Sequence, residues 1–222
     1  MEIDFLSAVH KSTPRDYLAR VNDPEFPKAK AAELAKRWAY DYWDGDRRIN
    51  YGGYRYLPGR WAPVAEALRD HYGLGAGDRV LDVGCGQGFP LYEMTQAVPG
   101  LEVAGIDVSA YALEHAKEEV KPHLTLGTAA SLPYDDDAFD FVFSINTLHN
   151  LHTFDLEPAL KEMQRVSKGP AYLCVESYRT EEEKANLLYW QVTCEAFYTP
   201  EEWAWWFEKT GYTGDHSFIY FE

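Results

Sequence analysis

The run Val80-Leu-Asp-Val-Gly-Cys-Gly-Gln-Gly88 constrains this chain more than any other stretch. An apolar strand feeds directly into Gly84, Gly86 and Gly88, and helical spacing resumes behind them. Glycine is required where a ligand comes close to the backbone, or where a turn needs φ > 0. The opening of the following helix leaves unpaired N–H groups that suit an anionic ligand group. Such a turn alone fits several nucleotide-like cofactors. A dinucleotide fingerprint needs a small residue at its third position, which here falls on Phe89. No Lys-Ser/Thr pair follows the loop, so a P-loop is excluded. Nicotinamide and flavin chemistry are therefore disfavoured.

The texture around the turn is alternating strand and helix. Strands are expected at 79–83, 101–106, 123–126, 139–144 and 171–176. Helices are expected from the turn to about Val98, from an N-cap at Ser109 to about Val120, at 158–167 and at 181–192. Another helix is sharply marked by Thr199, Pro200 and Glu202, an N-cap, an N1 proline and a capping box. Strands and helices in this alternation imply a parallel α/β sheet. A final strand at 217–221 is expected to run antiparallel.

Residues 1–72 read differently. Pro14, Pro24 and Pro27 break the first part into short pieces. Ala31, Leu34, Ala35, Trp38 and Tyr42 fall at helical spacing, predicting one helix over 28–43 that ends at Gly45. A loop rich in Tyr, Arg and Gly follows at 46–60. A second helix from about Trp61 carries Val64, Ala65, Leu68 and Tyr72 on its apolar face and closes at Gly73, Gly75 and Gly77. The expected organisation is an N-terminal helical cap or lid at 1–72 and an α/β core at 73–222.

Charge bears on partners. The chain carries 21 Lys+Arg against 36 Asp+Glu, a formal charge of −15. That balance opposes binding to nucleic acid or anionic membrane, whose phosphates it repels. Three widely spaced cysteines, Cys85, Cys174 and Cys194, match no disulfide framework or zinc spacing and are read as belonging to a reducing, cytoplasmic compartment. The first ten residues lack a signal-peptide pattern, and no apolar run approaches membrane-spanning length. His149 and His152 sit three apart, but no further His/Cys pair lies nearby in sequence, so no metal site is expected.

Taken in order, these motifs resemble the class I S-adenosylmethionine-dependent methyltransferases. Leu81–Gly88 matches the family's first motif, hydrophobic-Leu-Asp-hydrophobic-Gly-Cys/Ser-Gly-x-Gly, at every position. Asp107, in Gly105-Ile-Asp-Val-Ser109, matches the acid that holds the ribose hydroxyls. Gly127-Thr-Ala-Ala-Ser-Leu-Pro-Tyr134 resembles the adenine segment, with Thr128 standing where the family usually has Asp. A hydroxyl accepts a hydrogen bond there more weakly than a carboxylate. The resemblance implies a doubly wound, Rossmann-like sheet of order 3-2-1-4-5 plus the terminal strand. It implies S-adenosyl-L-methionine as cofactor, held by Asp82, Gly84, Cys85, Gly86, Gln87, Gly88, Asp107, Val108, Thr128, Ala129, Ala130 and Asn146. More loosely, Trp43–Arg48, Tyr51–Tyr54, Ser144–Asn150 and Val175–Arg179 look like small bacterial methyltransferases of surface-polysaccharide and capsule clusters.

The implied reaction is in-line methyl displacement, in which the protein chiefly aligns the reacting atoms. A base is needed only where the acceptor is protonated. His149, after the fourth strand, is the leading candidate and Glu176, ending the fifth, the second. The loop at 47–60 is read either as a surface loop whose arginines pair with excess carboxylates, or as a lid. In the lid reading Tyr51, Tyr54, Arg55 and Arg60, with Arg179, bind a small anionic metabolite or activated sugar. Carboxymethyl or aminopropyl chemistry on the same scaffold, or a non-catalytic cofactor-binding module, remain alternatives. The oligomeric state is left open.

Overall fold

The computed structural model describes residues 1–10 and 16–222, so Pro14 lies outside the described residues. Strands β1 (Arg79–Val83), β2 (Glu102–Asp107), β3 (Leu124–Leu126), β4 (Phe141–Ile145), β5 (Ala171–Glu176) and β6 (Asp215–Ile219) form one sheet. Their order is β3-β2-β1-β4-β5-β6, the doubly wound arrangement expected. The order reverses between β1 and β4, which opens a crevice at the carboxyl ends of those strands.

Every pairing among these strands is parallel. That corrects the expected antiparallel terminal strand. Tyr172 pairs with Asp215 and Glu176 with Ile219, both in parallel register. Helices α8 (Glu181–Trp190) and α9 (Pro200–Thr210) fill the connection and carry the chain back to the starting end of β5. A crossover of that length permits parallel entry, where a tight turn would force the antiparallel one. The capping box at Thr199 and Glu202 forms as expected, and Gly211 ends the helix in a left-handed conformation.

The remaining helices are α1 (Tyr17–Val21), α2 (Lys28–Ala35), α3 (Tyr40–Trp43), α4 (Ala62–Tyr72), α5 (Phe89–Ala97), α6 (Ala110–Glu114) and α7 (Thr153–Val166). Alternate strand residues face two apolar layers, as the period of a strand requires. Val80, Phe141, Phe143 and Tyr172 pack with Val64 and Leu68 of α4 and with Leu91 and Met94 of α5. Leu81, Val142, Leu173 and Val175 pack on the other face with Leu160 and Met163 of α7 and with Trp203 and Phe207 of α9. The sheet's core thus draws on residues before position 73. A third cluster joins Ala31, Tyr42, Trp43 and Ile49 to Ala112 and Val192, seating the segment between α2 and residue 54 over the crevice.

Two expected helices are shorter than predicted. The helix over 28–43 is broken into α2 and α3 by Trp38, whose φ is +53°. A bulky residue in that region is strained and survives only where its surroundings hold it. Here the Trp38 carbonyl accepts from the Ser109 hydroxyl, and its ring meets Tyr42 edge-on at 4.7 Å. Helix α6 stops at Glu114 rather than near Val120, because the chain turns in so that the Lys117 N–H can donate to the Gln87 carbonyl at 3.0 Å.

Candidate active site

The glycine turn is pinned to β2: the Gly84 and Cys85 N–H groups both donate to the Ile106 carbonyl, at 2.8 and 3.1 Å. Gly84 and Gly86 have φ of +85° and +53°, where a side chain is strained. The space above them is also taken. A Cβ on Gly84 would lie 2.1 Å from the Thr147 hydroxyl oxygen, and one on Gly86 would lie 2.9 Å from the Trp43 ring. The glycines therefore serve close approach by Trp43 and by the loop after β4.

Asp107 ends β2 and is held from both sides. Its Oδ2 accepts from the Gly86 N–H and its Oδ1 from the Ser109 N–H, each at 2.8 Å. Burial pushes its carboxyl above the usual range, against the lowering effect of those backbone bonds. Asp82, only 3% exposed, is pushed up further by burial and by the neighbouring Asp107. A positively charged ligand group beside these two carboxyls would favour their ionised forms and offset the cost of burial.

These groups line a cavity of about 390 Å³, within the range typical of small-molecule sites. Of the expected cofactor residues, Asp82, Gly84, Cys85, Gly86, Asp107, Val108, Thr128, Ala129 and Asn146 line it. Gln87, Gly88 and Ala130 do not. Gln87 faces an outer hollow, a Cβ on Gly88 would strike Val120, and the Ala130 N–H donates to the Thr128 hydroxyl at 3.2 Å. Tyr51 and Tyr54 form part of the roof with Trp38, Tyr42 and Trp43. Trp38 and Tyr42 fell within the expected helix over 28–43, where their spacing pointed only to packing, and Trp43 entered only through the looser resemblance of Trp43–Arg48.

A smaller chamber of about 150 Å³ adjoins the first and shares Tyr42, Tyr51, Asn146 and Asn150 with it. His149 and Glu176 line this second chamber. His149 Nδ1 accepts from the Glu176 N–H at 3.2 Å, which places the ring proton on Nε2, 3.5 Å from Glu176 Oε2. Burial lowers its pKa to about 3. The ring is thus neutral with Nδ1 taken by the Glu176 N–H, a poor arrangement for the base expected of it. The Gln191 side chain donates to Glu176 Oε1.

Of the arginines expected to bind substrate, Arg55, Arg60 and Arg179 line neither chamber. Arg55 borders the outer hollow with Tyr56 and His115, and Arg60 donates to the Val9 carbonyl at 3.2 Å. Arg179 is drawn away from the crevice by Glu183 and Glu222 and lies 3.9 Å over the Tyr220 ring. Arg48 is taken up by Asp46 and Glu25. Among the described residues, two arginines reach the smaller chamber: Arg47, from the Tyr/Arg loop, and Arg20, from α1. Arg20 gave no signal in the sequence, because nothing local ties α1 to the ends of β4 and β5.

A doubly wound sheet with an acid at the end of β2 and a glycine turn after β1 defines a Rossmann-like methyltransferase fold. The chain belongs to the methyltransferase-domain family, whose model matches residues 74–211. This is an S-adenosylmethionine-dependent methyltransferase family, and proteins of this fold generally use that cofactor. Over 141 residues the chain is 33% identical to the methyltransferase GfsG of Streptomyces halstedii, covering 57% of this chain and 49% of the relative. Over 107 residues it is 39% identical to the demethylmenaquinone methyltransferase of Staphylococcus haemolyticus, covering 46% of this chain and 44% of the relative. The chain thus spans about half the length of these curated relatives. Among solved structures, the YcgJ protein of Bacillus subtilis shares the fold, with a TM-score of 0.54 and 22% identity over 66% of this chain and 67% of that one.

Proposed function

We propose that this chain transfers a methyl group from S-adenosylmethionine to a small polar acceptor, an acidic metabolite or an activated sugar. The observation that carries this reading is the cavity over the glycine turn, with Asp107 held by the Gly86 and Ser109 amides. The Asp107 oxygens keep lone pairs that would hold a ribose diol, Thr128 and Ala129 would border the adenine, and Asp82, on the same cavity, would face the cationic part of the cofactor. When bound, the cofactor supplies a methyl on a sulfonium, whose carbon–sulfur bonding pair stays with sulfur as an acceptor lone pair forms the new bond.

The chain's residues position, desolvate and remove a proton. The aromatic roof of Trp43, Tyr51 and Tyr54 excludes water from the transfer path. Glu176 takes the acceptor's proton, and His149 is a positioning residue whose Nδ1 accepts from the Glu176 N–H. The N-terminal segment acts as a cap over residues 73–222. The capsule-cluster resemblance supports an activated sugar as one candidate acceptor. The working compartment is the cytoplasm, with nucleic acid and membrane excluded as partners by charge; among the described residues no helix is long and apolar enough to cross a membrane.

Calorimetry with S-adenosylhomocysteine tests the cofactor assignment: wild type binds and Asp107→Ala loses most of the affinity. Equal binding by both proteins removes Asp107 from the site. Mass spectrometry of products from a metabolite extract tests the reaction. A product heavier by one CH₂ supports methyl transfer, and a larger increment indicates carboxymethyl or aminopropyl chemistry.

A further inference from the structure

Among the described residues, the smaller chamber holds two guanidinium groups that no carboxylate approaches to ion-pair distance, although Glu176 lines the same chamber. Arg20 and Arg47 both line it. Among the described residues, no carboxylate lies within the 4.0 Å ion-pair distance of either one, although the chain has 36 acidic residues to 21 basic. Arg20 Nη2 donates to the Ile49 carbonyl at 2.8 Å, and Arg47 Nη1 donates to the Asn50 carbonyl. Arg20 Nε is buried and has no partner among the described residues. Its guanidinium lies 4.8 Å over the Trp190 ring. Burial and the nearby Arg47 charge lower the Arg20 pKa to about 10, a sign that the two cations are held together at a cost.

The backbone makes room for this arrangement. Gly52 has φ of +67°, and a Cβ there would sit 2.6 Å from the Arg47 Cβ. At the junction of the two chambers, Asn150 Nδ2 donates to the Asn146 and Thr147 carbonyls, at 3.3 and 3.1 Å. Those bonds fix the amide, and its Oδ1 is buried with no partner among the described residues. An unsatisfied buried acceptor and an unpaired buried donor are expensive unless a ligand completes them.

We propose that the chamber binds an acidic group of the methyl acceptor, a carboxylate or a phosphate, between Arg20 and Arg47, with an O–H or N–H of the acceptor other than the one that is methylated donating to Asn150 Oδ1. The assignment rests on the methyl-transfer reading, because it places the reacting atom at the opening into the cofactor cavity. The planar guanidinium matches either oxyanion with paired hydrogen bonds. Glu176, on the same chamber, accepts from Gln191 through Oε1 and is tied to His149 through its backbone N–H, and is positioned to receive the proton that the acceptor releases.

The test titrates inorganic phosphate and, separately, acetate into full-length protein saturated with S-adenosylhomocysteine, by calorimetry. At least one anion binds saturably, and Arg20→Gln and Arg47→Gln each weaken that binding by about tenfold or more, while S-adenosylhomocysteine affinity stays within about twofold. The anion that binds identifies the acid class. Arg20→Lys, which keeps the charge and loses the planar fork, gives an intermediate loss and guards against a glutamine variant that fails to fold. Absence of saturable binding by either anion, or binding unchanged in both glutamine variants, overturns the proposal. If S-adenosylhomocysteine itself does not bind, the methyl-transfer reading fails instead, and the same titrations on free protein still decide the chamber.

Discussion

The Trp43 indole N–H donates to the Ser109 hydroxyl oxygen at 2.9 Å, joining the cap to the turn that follows the Asp107 strand. The same oxygen accepts from the Ala112 N–H at 3.0 Å, capping α6, and its own proton goes to the Trp38 carbonyl. One hydroxyl offers one donor and two acceptor sites, so Ser109 is fully used. Its bonds hold both the strained Trp38 backbone and the roof over the cavity.

Ser109→Ala removes a helix cap and the cap's hold on the core together. Loss of the cap alone costs about 1 kcal/mol. The variant should melt several degrees lower and bind S-adenosylhomocysteine more weakly. Trp43→Phe keeps α6 capped but loses the indole bond, so it should weaken binding with a smaller loss of melting temperature. Differential scanning calorimetry and ligand titration on both variants separate the two roles. Unchanged ligand affinity in both would show that the latch does not shape the site.

Asp82 gives the ligand-free protein a distinctive pH response. Its folded pKa is raised by burial and by Asp107, while the unfolded value is near 4. A raised acid contributes stability that is present below the unfolded pKa and is lost as pH rises through the folded pKa. Asp82→Asn should therefore melt higher than wild type at pH 7, with the gap closing toward pH 4. Melting curves across that range are the measurement. A variant that melts lower at pH 7 would mean that the ionised Asp82 has a stabilising partner in the free protein.

His149 acts in the opposite sense. Its pKa falls to about 3 in the fold, against about 6.5 when unfolded. The unfolded chain takes up a proton that the folded chain refuses, so stability falls as pH drops from about 6.5 toward 3. The limiting slope is about 1.4 kcal/mol per pH unit. His149→Asn can still accept from the Glu176 N–H through its side-chain oxygen, and it should flatten this part of the stability curve. Denaturant titrations at pH 7 and pH 5 check it. In turnover, the wild-type pH profile should show no inflection near 6.5 that disappears in this variant.

Arg55 and Arg179 stand outside the cavities, so Arg55→Ala and Arg179→Ala should leave the acceptor KM unchanged. Arg179 is half exposed in its pair with Glu183, and such pairs contribute about 0–1 kcal/mol. Only a small fall in melting temperature is expected. A raised KM for either variant would return that arginine to the acceptor site.

The contrast between those arginines and Arg20 shows what the sequence could reveal. The glycine turn, Asp107 and the capped helix at Thr199 were legible because each is specified by neighbours a few residues away. The strand order followed from the motif order and the one-way logic of parallel crossovers. The direction of β6 was not legible, since it depends on how α8 and α9 return the chain. Which arginine lines the smaller chamber was not legible either. Arg179 was lost to Glu183, one helical turn away, whereas Arg20 reaches the chamber across a long loop, and neither outcome has a local pattern. The break at Trp38 was hidden for the same reason, because Ser109, which holds it, lies 71 residues away.

Gly84 provides the sharpest test of the close packing between the glycine turn and the loop after β4. Alanine there meets two separate obstacles. Its φ of +85° is unfavourable for any side chain, at about 1–2 kcal/mol. Its Cβ would also lie 2.1 Å from Thr147 Oγ1 and 2.6 Å from Thr147 Cβ. Gly84→Ala should therefore cost about 2–4 kcal/mol in urea unfolding and abolish cofactor binding. Adding Thr147→Gly removes the collision and leaves the dihedral strain. The double variant should recover part of the lost stability, with a coupling of about 1 kcal/mol or more between the two sites. Strict additivity would mean that the turn relaxes away from Thr147 and that dihedral strain alone sets the requirement for glycine.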